Sequence, residues 1–287
     1  MSKVWLITGA NSGFGLALTR GAVLAGDVVV AAARRPATLD ALVASNPDQV
    51  EAIKLDVTDP VRIEEVVADV IARYGHIDVL VNNAGRTHVG AVEETSDEEL
   101  RSLFDVHLFG PAALIRAVLP HMRERRSGAI VQMSSMGGQM SFAGFAAYSA
   151  TKFALEGLSE ALTAEVAPFG VRVLIVEPGS FRTGLFQAAS DSSGNPHYSA
   201  TVGATRQMIH RNDGQQPGDP AKAAQAIISV LAADDVPLRL LLGADAVDAV
   251  VGHLEAVRTD ITAWEQLSRS TDLNDTAPME EPVGRTS

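Results

Sequence analysis

Hydrophobic residues along this chain fall into short, nearly unbroken runs that alternate with longer stretches of helical spacing. Strands covered by helices on both faces have this pattern, because neither face of such a strand meets water. Seven runs predict strands at residues 4–8, 28–33, 50–55, 77–82, 129–134, 171–177 and 238–242. Repeated strand–helix units of this length predict a doubly wound α/β fold with a mostly parallel, seven-stranded sheet.

Polar residues indicate where several helices begin. Asp59 and Asp219 each precede a proline, which gives an N-cap acceptor followed by proline at the first helical position. Ser96 and Glu99 form a capping-box pattern, and we expect the helix that follows to extend to about Pro120.

Two segments depart from this alternation. Residues 184–218 contain turn-forming sequences and only weak helical spacing. An insertion of that length in a compact α/β domain is usually a lid or a binding loop. Residues 272–287 are polar and include two prolines, and we interpret them as a loose C-terminal tail. Residues 1–271 are therefore predicted to be one domain, with 184–218 as a substrate lid.

Composition excludes several classes of protein. With 46% hydrophobic and 20% charged residues the chain is ordinary for a globular protein. The absence of cysteine excludes disulfides and thiolate chemistry, and it fits a reducing, cytoplasmic location. A net charge of −12 disfavours binding to nucleic acid or anionic lipid. We see no apolar run near the roughly 18 residues of a membrane helix and no paired-histidine zinc motif, so neither a membrane nor a metal is expected.

Three glycines follow the first predicted strand, where the chain would turn into a helix. Glycine lets the backbone approach a pyrophosphate closely, and the helix N-terminus offers unpaired N–H groups. A tight turn without a ligand is the simpler alternative for a lone glycine cluster. We predict a dinucleotide site whose phosphate contacts come from Gly9, Asn11, Ser12, Gly13, Phe14 and Gly15.

The end of the second predicted strand bears on the choice of dinucleotide. It carries Arg34 and Arg35 and no carboxylate. Arginine suits a ribose 2′-phosphate through paired N–H donors, whereas a carboxylate would repel it. The alternative is that both arginines are solvated surface charges. We predict that NADP(H) is preferred over NAD(H).

Tyr148 and Lys152 are four residues apart, and therefore on one face of a predicted helix. An ammonium near a phenol lowers the pKa of the phenol, which makes tyrosine a usable acid for a ketone oxygen or base for an alcohol. Ser135 follows a strand upstream, and its hydroxyl could donate to the same oxygen. Taken alone, a surface tyrosine–lysine pair is the simpler explanation.

Three further motifs join these residues: LDV at 55–57, NNAG at 82–85, and PG at 178–179 followed by Thr183. With them, residues 3–245 resemble the short-chain dehydrogenase/reductase family. The resemblance implies a single Rossmann-type domain in a homodimer or homotetramer. It also implies an oxidoreductase that interconverts a small-molecule ketone or aldehyde and an alcohol.

The same resemblance implies roles for individual residues. Ser135 would polarise the carbonyl, Tyr148 would transfer the proton, and Lys152 would bind the nicotinamide ribose. Asp56 would contact the adenine, and residues 178–183 would hold the nicotinamide carboxamide. The cofactor site would be completed by Val57, Asn83, Ala84, Gly85, Val106, Tyr148, Lys152, Pro178, Gly179, Phe181 and Thr183.

One position departs from the family pattern. Where the family usually has an asparagine that helps hold a relay water, this sequence has His107. A neutral imidazole has one donor and one acceptor, so we hypothesise that His107 holds that water instead. The alternatives are a weakened or rerouted relay, or a helix histidine without a part in turnover.

Two other functions stay open for this fold. One is epimerisation, dehydration or dehalogenation, and the other is a non-catalytic regulator that senses a dinucleotide. The presence of Ser135, Tyr148 and Lys152 argues against the regulator, whereas His107 leaves it open.

Overall fold

Seven strands form one parallel sheet in the computed structural model, which describes residues 2–273. Its strands are β1 (Val4–Thr8), β2 (Val28–Ala33), β3 (Val50–Lys54), β4 (Val79–Asn82), β6 (Gly128–Met133), β7 (Val171–Pro178) and β9 (Arg239–Leu242). They lie in the order β3-β2-β1-β4-β6-β7-β9. The order reverses between β1 and β4, and in doubly wound folds ligands bind beside the carboxyl ends of the strands at such a switch point. The predicted fold class is confirmed.

Helices cover both faces of this sheet. They are α1 (Gly13–Leu24), α2 (Asp40–Ser45), α3 (Pro60–Tyr74), α4 (Asp97–Phe104), α5 (Gly110–Arg125), α6 (Ala146–Val166), α7 (Val202–Asn212), α8 (Pro220–Leu231) and α9 (Ala244–Arg269). Successive residues of β1 serve the two layers, because side chains alternate across a strand. Trp5 and Ile7 pack with residues of α1 and α8, whereas Val4 and Leu6 pack with residues of α3 and α5.

The predicted helix starts are present. Asp59 caps α3 by accepting from Arg62 N at 3.0 Å, and Asp219 caps α8 by accepting from Ala221 N at 2.8 Å. Both hydrogen bonds of the capping box at α4 are formed. That helical stretch ends later than predicted, since it passes through a π turn (Asp105–Phe109) and continues beyond Pro120 to Arg125. Its apolar face stays buried beyond the proline, as Met122 shows, and this burial favours continuation of the helix.

The same stretch bears on the expectation about membranes. By length and composition Asp97–Arg125 could cross a membrane, since an 18-residue window within it has a mean hydropathy of 1.4. The expectation that no apolar run approaches this length is therefore wrong. Leu114, Val118 and Met122 of this stretch are buried in the core. A buried core helix passes the same test, so the finding carries no argument for a membrane.

The segment predicted as a lid is partly ordered. It contains β8 (Ser190–Asp191), which pairs in parallel with β5 (His88–Val89), and it contains α7. Arg206 of α7 forms ion pairs with Glu94 at 2.8 Å and with Asp191 at 2.7 Å. The β5–β8 pair and the contact with Glu94 attach the segment to residues 88–94, whereas Asp191 belongs to the segment itself. Of the predicted tail, residues 274–287 lie outside the described residues.

Candidate active site

The glycine turn between β1 and α1 has the shape of a phosphate cradle. Gly9 and Gly13 have φ angles of +62° and +50°, which other residues rarely adopt. A Cβ on Gly15 would collide with the carbonyl oxygen of Gly9. The side chain of Ser12 makes no capping bond, and no acidic residue lies in the first turn of α1. Unpaired N–H groups and a positive dipole end are therefore left for an anion.

The NNAG turn lies directly against this cradle, and Thr8 joins the two. Its hydroxyl accepts from the N–H groups of Asn83 at 2.9 Å and Ala84 at 3.0 Å, and donates to Val81 O at 3.2 Å. The Asn83 amide donates to Thr8 O at 2.8 Å. Thr8 was not predicted to belong to the site, although its position immediately before the first glycine is a signal for it.

The segment 178–183 closes the other side of the cradle. A Cβ on Gly13 would lie 3.0 Å from Cβ of Thr183, which leaves little room between them. The rings of Phe14 and Phe181 are in contact, with centroids 5.1 Å apart. The two predicted cofactor segments therefore meet, although they are far apart in the sequence.

Asp245, in the first turn of α9, holds that segment in place. Its carboxylate accepts a hydrogen bond from Ser180 N at 2.7 Å. A side chain at Gly179 would collide with the same carboxylate, so glycine is required there for the approach. Asp245 was not predicted to belong to the site, because it is not part of any local sequence motif.

The charged residues predicted at the adenosine end of the cofactor site are exposed and make few contacts with the rest of the protein. Arg34 and Arg35 are exposed after β2, and within residues 2–273 neither guanidinium has an ion pair or a side-chain hydrogen bond. Asp56 is also exposed, and its Oδ1 accepts from the N–H and the hydroxyl of Thr58 at 3.0 and 2.9 Å. Val57 is buried beneath the start of α5.

Ser135, Tyr148 and Lys152 come together beside Gly137, at the carboxyl end of β6. Lys152 donates to Met133 O at 2.8 Å, and its Nζ lies 5.7 Å from the centroid of the Tyr148 ring. A Cβ on Gly137 would lie 3.3 Å from Ser135 Oγ and 3.4 Å from Tyr148 Cε1. The structure thus groups the three side chains that the sequence singled out for catalysis.

Burial controls the electrostatics of this group. It raises the pKa of Tyr148, and the hydrogen bond with Ser135 opposes that effect. It also lowers the pKa of Lys152 to about 8, while the negative charge of Glu156 opposes the lowering. The sequence predicts that Lys152 lowers the pKa of Tyr148. In the structure the loss of phenolate hydration raises that pKa instead, and Ser135 is the group that opposes the rise.

A buried carboxylate cluster lies one helical turn beyond Lys152. Glu156 accepts from Ser134 Oγ at 2.5 Å and pairs with Arg239, which also contacts Glu177 at 2.8 Å and Glu160 at 2.6 Å. Burial, aided by the nearby charge of Glu177, raises the pKa of Glu156 to about 7. This cluster was not predicted from the sequence, although Glu156 continues the spacing of four from Tyr148 and Lys152.

His107 lies in the π turn, with its ring perpendicular to that of Tyr148 and the centroids 5.7 Å apart. Its Nε2 accepts from Arg86 N at 3.1 Å. Its Nδ1 therefore carries the proton and donates to Thr151 Oγ1 at 2.8 Å, and that hydroxyl donates to Tyr148 O at 2.7 Å. Burial, followed by the charge of Lys152, puts the pKa of His107 well below its usual range, so the ring is neutral.

This arrangement contradicts the hypothesis that the ring of His107 holds a relay water. Both ring nitrogens already have protein partners, so neither is free for water. The ring instead joins the turn after β4 to the helix that carries the tyrosine and the lysine.

Comparison with known proteins agrees with this geometry. A family model described as short chain dehydrogenase matches residues 3–194. Oxidoreductase BOA17 of Botryotinia fuckeliana is 36% identical over 270 residues, which cover 93% of this chain and 98% of that protein.

Solved structures of dehydrogenases are also similar to this chain. A short-chain dehydrogenase from Streptomyces avermitilis has a TM-score of 0.91 at 62% identity, covering 95% of this chain and 100% of that one. An alcohol dehydrogenase from Thermococcus sibiricus, solved with 5-hydroxy-NADP, has a TM-score of 0.70 at 25% identity, covering 84% and 96%. Two further structural neighbours are complexes with NAD and with NADP, so both dinucleotides occur among the neighbours.

Proposed function

The chain belongs to the short-chain dehydrogenase family, and we propose that it is an NADP(H)-dependent oxidoreductase which interconverts a ketone or aldehyde and an alcohol. The matched family is described as short chain dehydrogenase, and the relative from Botryotinia fuckeliana as an oxidoreductase. The observation that carries the proposal is the grouping of Ser135, Tyr148 and Lys152 beside a glycine cradle with no capping side chain.

The residues of the cradle fit a nicotinamide dinucleotide. The backbone of residues 9–15 would bind the pyrophosphate through N–H groups, because the glycines leave no Cβ in the way. Thr183 and the turn at 83–85 would line the remainder, and Lys152 would bind the ribose. When bound, the nicotinamide supplies or accepts the hydride.

In the reducing direction, Tyr148 would donate its proton to the carbonyl oxygen. The Ser135 hydroxyl would donate a hydrogen bond to the same oxygen as negative charge develops there. The proton from Tyr148 and the hydride on carbon together yield the alcohol. The raised pKa of Tyr148 keeps the phenol protonated at neutral pH, which suits its role as the acid.

The test is a carbonyl panel assayed with NADPH, comparing the natural chain with Tyr148→Phe. Removing the phenol hydroxyl should lower the rate by about 100-fold to 10,000-fold, the usual contribution of general acid catalysis, and should weaken NADPH binding far less. Reduction should consume one NADPH per alcohol formed. Turnover without net NADPH consumption would indicate epimerisation, dehydration or dehalogenation, and binding without turnover would indicate a sensing regulator.

The preference for NADP(H) rests on the exposed, unpaired guanidinium groups of Arg34 and Arg35. Titration by nicotinamide fluorescence should give at least about tenfold weaker binding for NADH than for NADPH, or roughly 1.4 kcal/mol. Arg34→Ala should remove most of that difference, whereas the exposed Arg123→Ala at the far end of α5 should not. Equal affinities in the natural chain would refute the preference.

We also propose a cytoplasmic location, which the cysteine-free composition supports. Fractionation of cells that express the tagged chain would test it, and recovery with membranes would contradict it.

A further inference from the structure

The last described helix, α9, packs against the rest of the protein at its start and is exposed in its second half. Its first turns are anchored, since Ala246 and Val250 are buried and Asp245 binds Ser180 N. From residue 254 to residue 269 every position is exposed. No side of this half of the helix is covered by other residues within 2–273.

This exposed half carries large apolar residues at heptad spacing. Leu254 and Ile261 are seven residues apart, and so are Val257 and Trp264. With Leu267 they form what we call the apolar stripe, and the exposed fractions of Ile261, Trp264 and Leu267 reach 65%, 64% and 60%. A repeat of this kind is typical of the seam between two paired helices.

Such a stripe is unfavourable in water. Isolated helices of this length are marginally stable without packing, and contiguous exposed apolar patches mark interaction sites. An aromatic side chain has an area of roughly 150–250 Å² and an aliphatic one somewhat less, so the stripe exposes on the order of 400 Å² of apolar surface. A standard interface buries about 800 Å² per partner, so the stripe with its flanking polar residues approaches that size.

The remaining residues of the chain do not match the stripe. Residues 274–287 include only Met279 and Val283 as apolar side chains larger than alanine, apart from prolines. A lipid surface does not match it either, because membrane-surface helices are rich in lysine and arginine on the polar face. Here Glu255, Asp260 and Glu265 outnumber the arginines of the same segment.

We propose that residues 254–269 pair with the same segment of a second copy of this chain, so that the apolar stripe is a self-association surface. A second copy offers the same heptad repeat, and a twofold contact of this kind is isologous. Its flanks also offer charges of both signs, because Arg258 and Arg269 lie among the acidic residues. The surface differs from the catalytic site and does not depend on the proposed reaction.

The first test measures the mass of the full chain by light scattering after size exclusion. The natural chain should contain an even number of copies, and Ile261→Asp should reduce the mass twofold. Thr262→Asp is the matched control, since it adds the same charge on a face away from the stripe and should leave the mass unchanged. Circular dichroism should show that both variants keep the helix content of a folded domain.

A monomeric natural chain, or an Ile261→Asp variant that keeps the natural mass, would overturn the proposal. So would an equal loss of mass in the two variants.

The second test uses tryptophan. Trp5 is buried at 1% exposure, whereas Trp264 is in the stripe, so acrylamide quenching reports chiefly on the stripe. Quenching should be weaker in the natural chain than in Ile261→Asp. Equal quenching would overturn the proposal, as would binding of a monomeric natural chain to phosphatidylcholine–phosphatidylglycerol vesicles.

Discussion

Replacing Glu156 by glutamine should change the pH at which Lys152 loses its proton. Burial lowers the pKa of Lys152 to about 8, and the negative charge of Glu156 is the influence that opposes this lowering. Glutamine keeps the shape and the hydrogen bond to Ser134 but carries no charge. In Glu156→Gln the lysine should therefore lose its proton at a lower pH than in the natural chain.

The size of the change follows from the spacing on α6. Side chains four residues apart have Cβ atoms about 6 Å apart, and at an effective dielectric constant of about 20 two unit charges at that distance interact by about 3 kcal/mol. Arg239 neutralises part of the charge on Glu156, and Glu156 itself has a pKa of about 7. We expect the net shift to be about one pKa unit, or roughly 1.4 kcal/mol.

The assay is the rate of carbonyl reduction against pH at saturating NADPH, from neutral to mildly alkaline conditions. The fall in rate on the alkaline side should begin about one unit lower in Glu156→Gln. Glu160→Gln is the matched control, because Glu160 also contacts Arg239 but its side chain is 58% exposed. An unchanged alkaline limb in Glu156→Gln, or an equal shift in both variants, would refute the reasoning.

Three further outcomes are expected. Folding raises the pKa of Glu156 from 4.5 to about 7. The protonated carboxyl therefore contributes stability below pH 4.5, and this contribution is lost as the pH rises through 7. Calorimetry should show a smaller pH dependence of stability in Glu156→Gln. His107→Phe leaves two buried hydrogen-bond partners unpaired, so urea unfolding should show a loss of about 1–3 kcal/mol, smaller in His107→Asn; natural stability in His107→Phe would contradict this. Gly13→Ala should weaken NADPH binding at least about tenfold by crowding the cradle, whereas Gly157→Ala, with open space around it, should leave binding unchanged.

The fold was predictable from the sequence because β1, β4 and β6 are buried throughout and appear as nearly unbroken apolar runs. The edge strands β3 and β9 are only partly buried, and the repeated strand–helix pattern identifies them instead. The pairing of β5 with β8 was not, since each has two residues and no pattern can be recognised at that length. The π turn was also missed. It lies inside a helical stretch whose spacing before and after it is ordinary.

The site was predictable where its chemistry is local. The glycine turn and the spacing of Tyr148 and Lys152 each lie within a few residues of sequence. The partners of His107 and Glu156 do not: Thr151 follows His107 by 44 positions, and Arg239 follows Glu156 by 83. Only the fold brings these groups together, so which atoms of the histidine are already bonded could not be known beforehand.

The way in which the lid is attached separates two properties of the protein. The segment 184–218 is joined through a short strand pair, the ion pairs of Arg206 and a small apolar cluster of its own. The two large clusters that line the central sheet are distinct from it. Regions with few buried contacts open at a lower free energy than the whole fold. We therefore expect ligand exchange to require only this local opening, and we expect substitutions in the predicted lid to change residence times while the melting temperature of the domain stays the same.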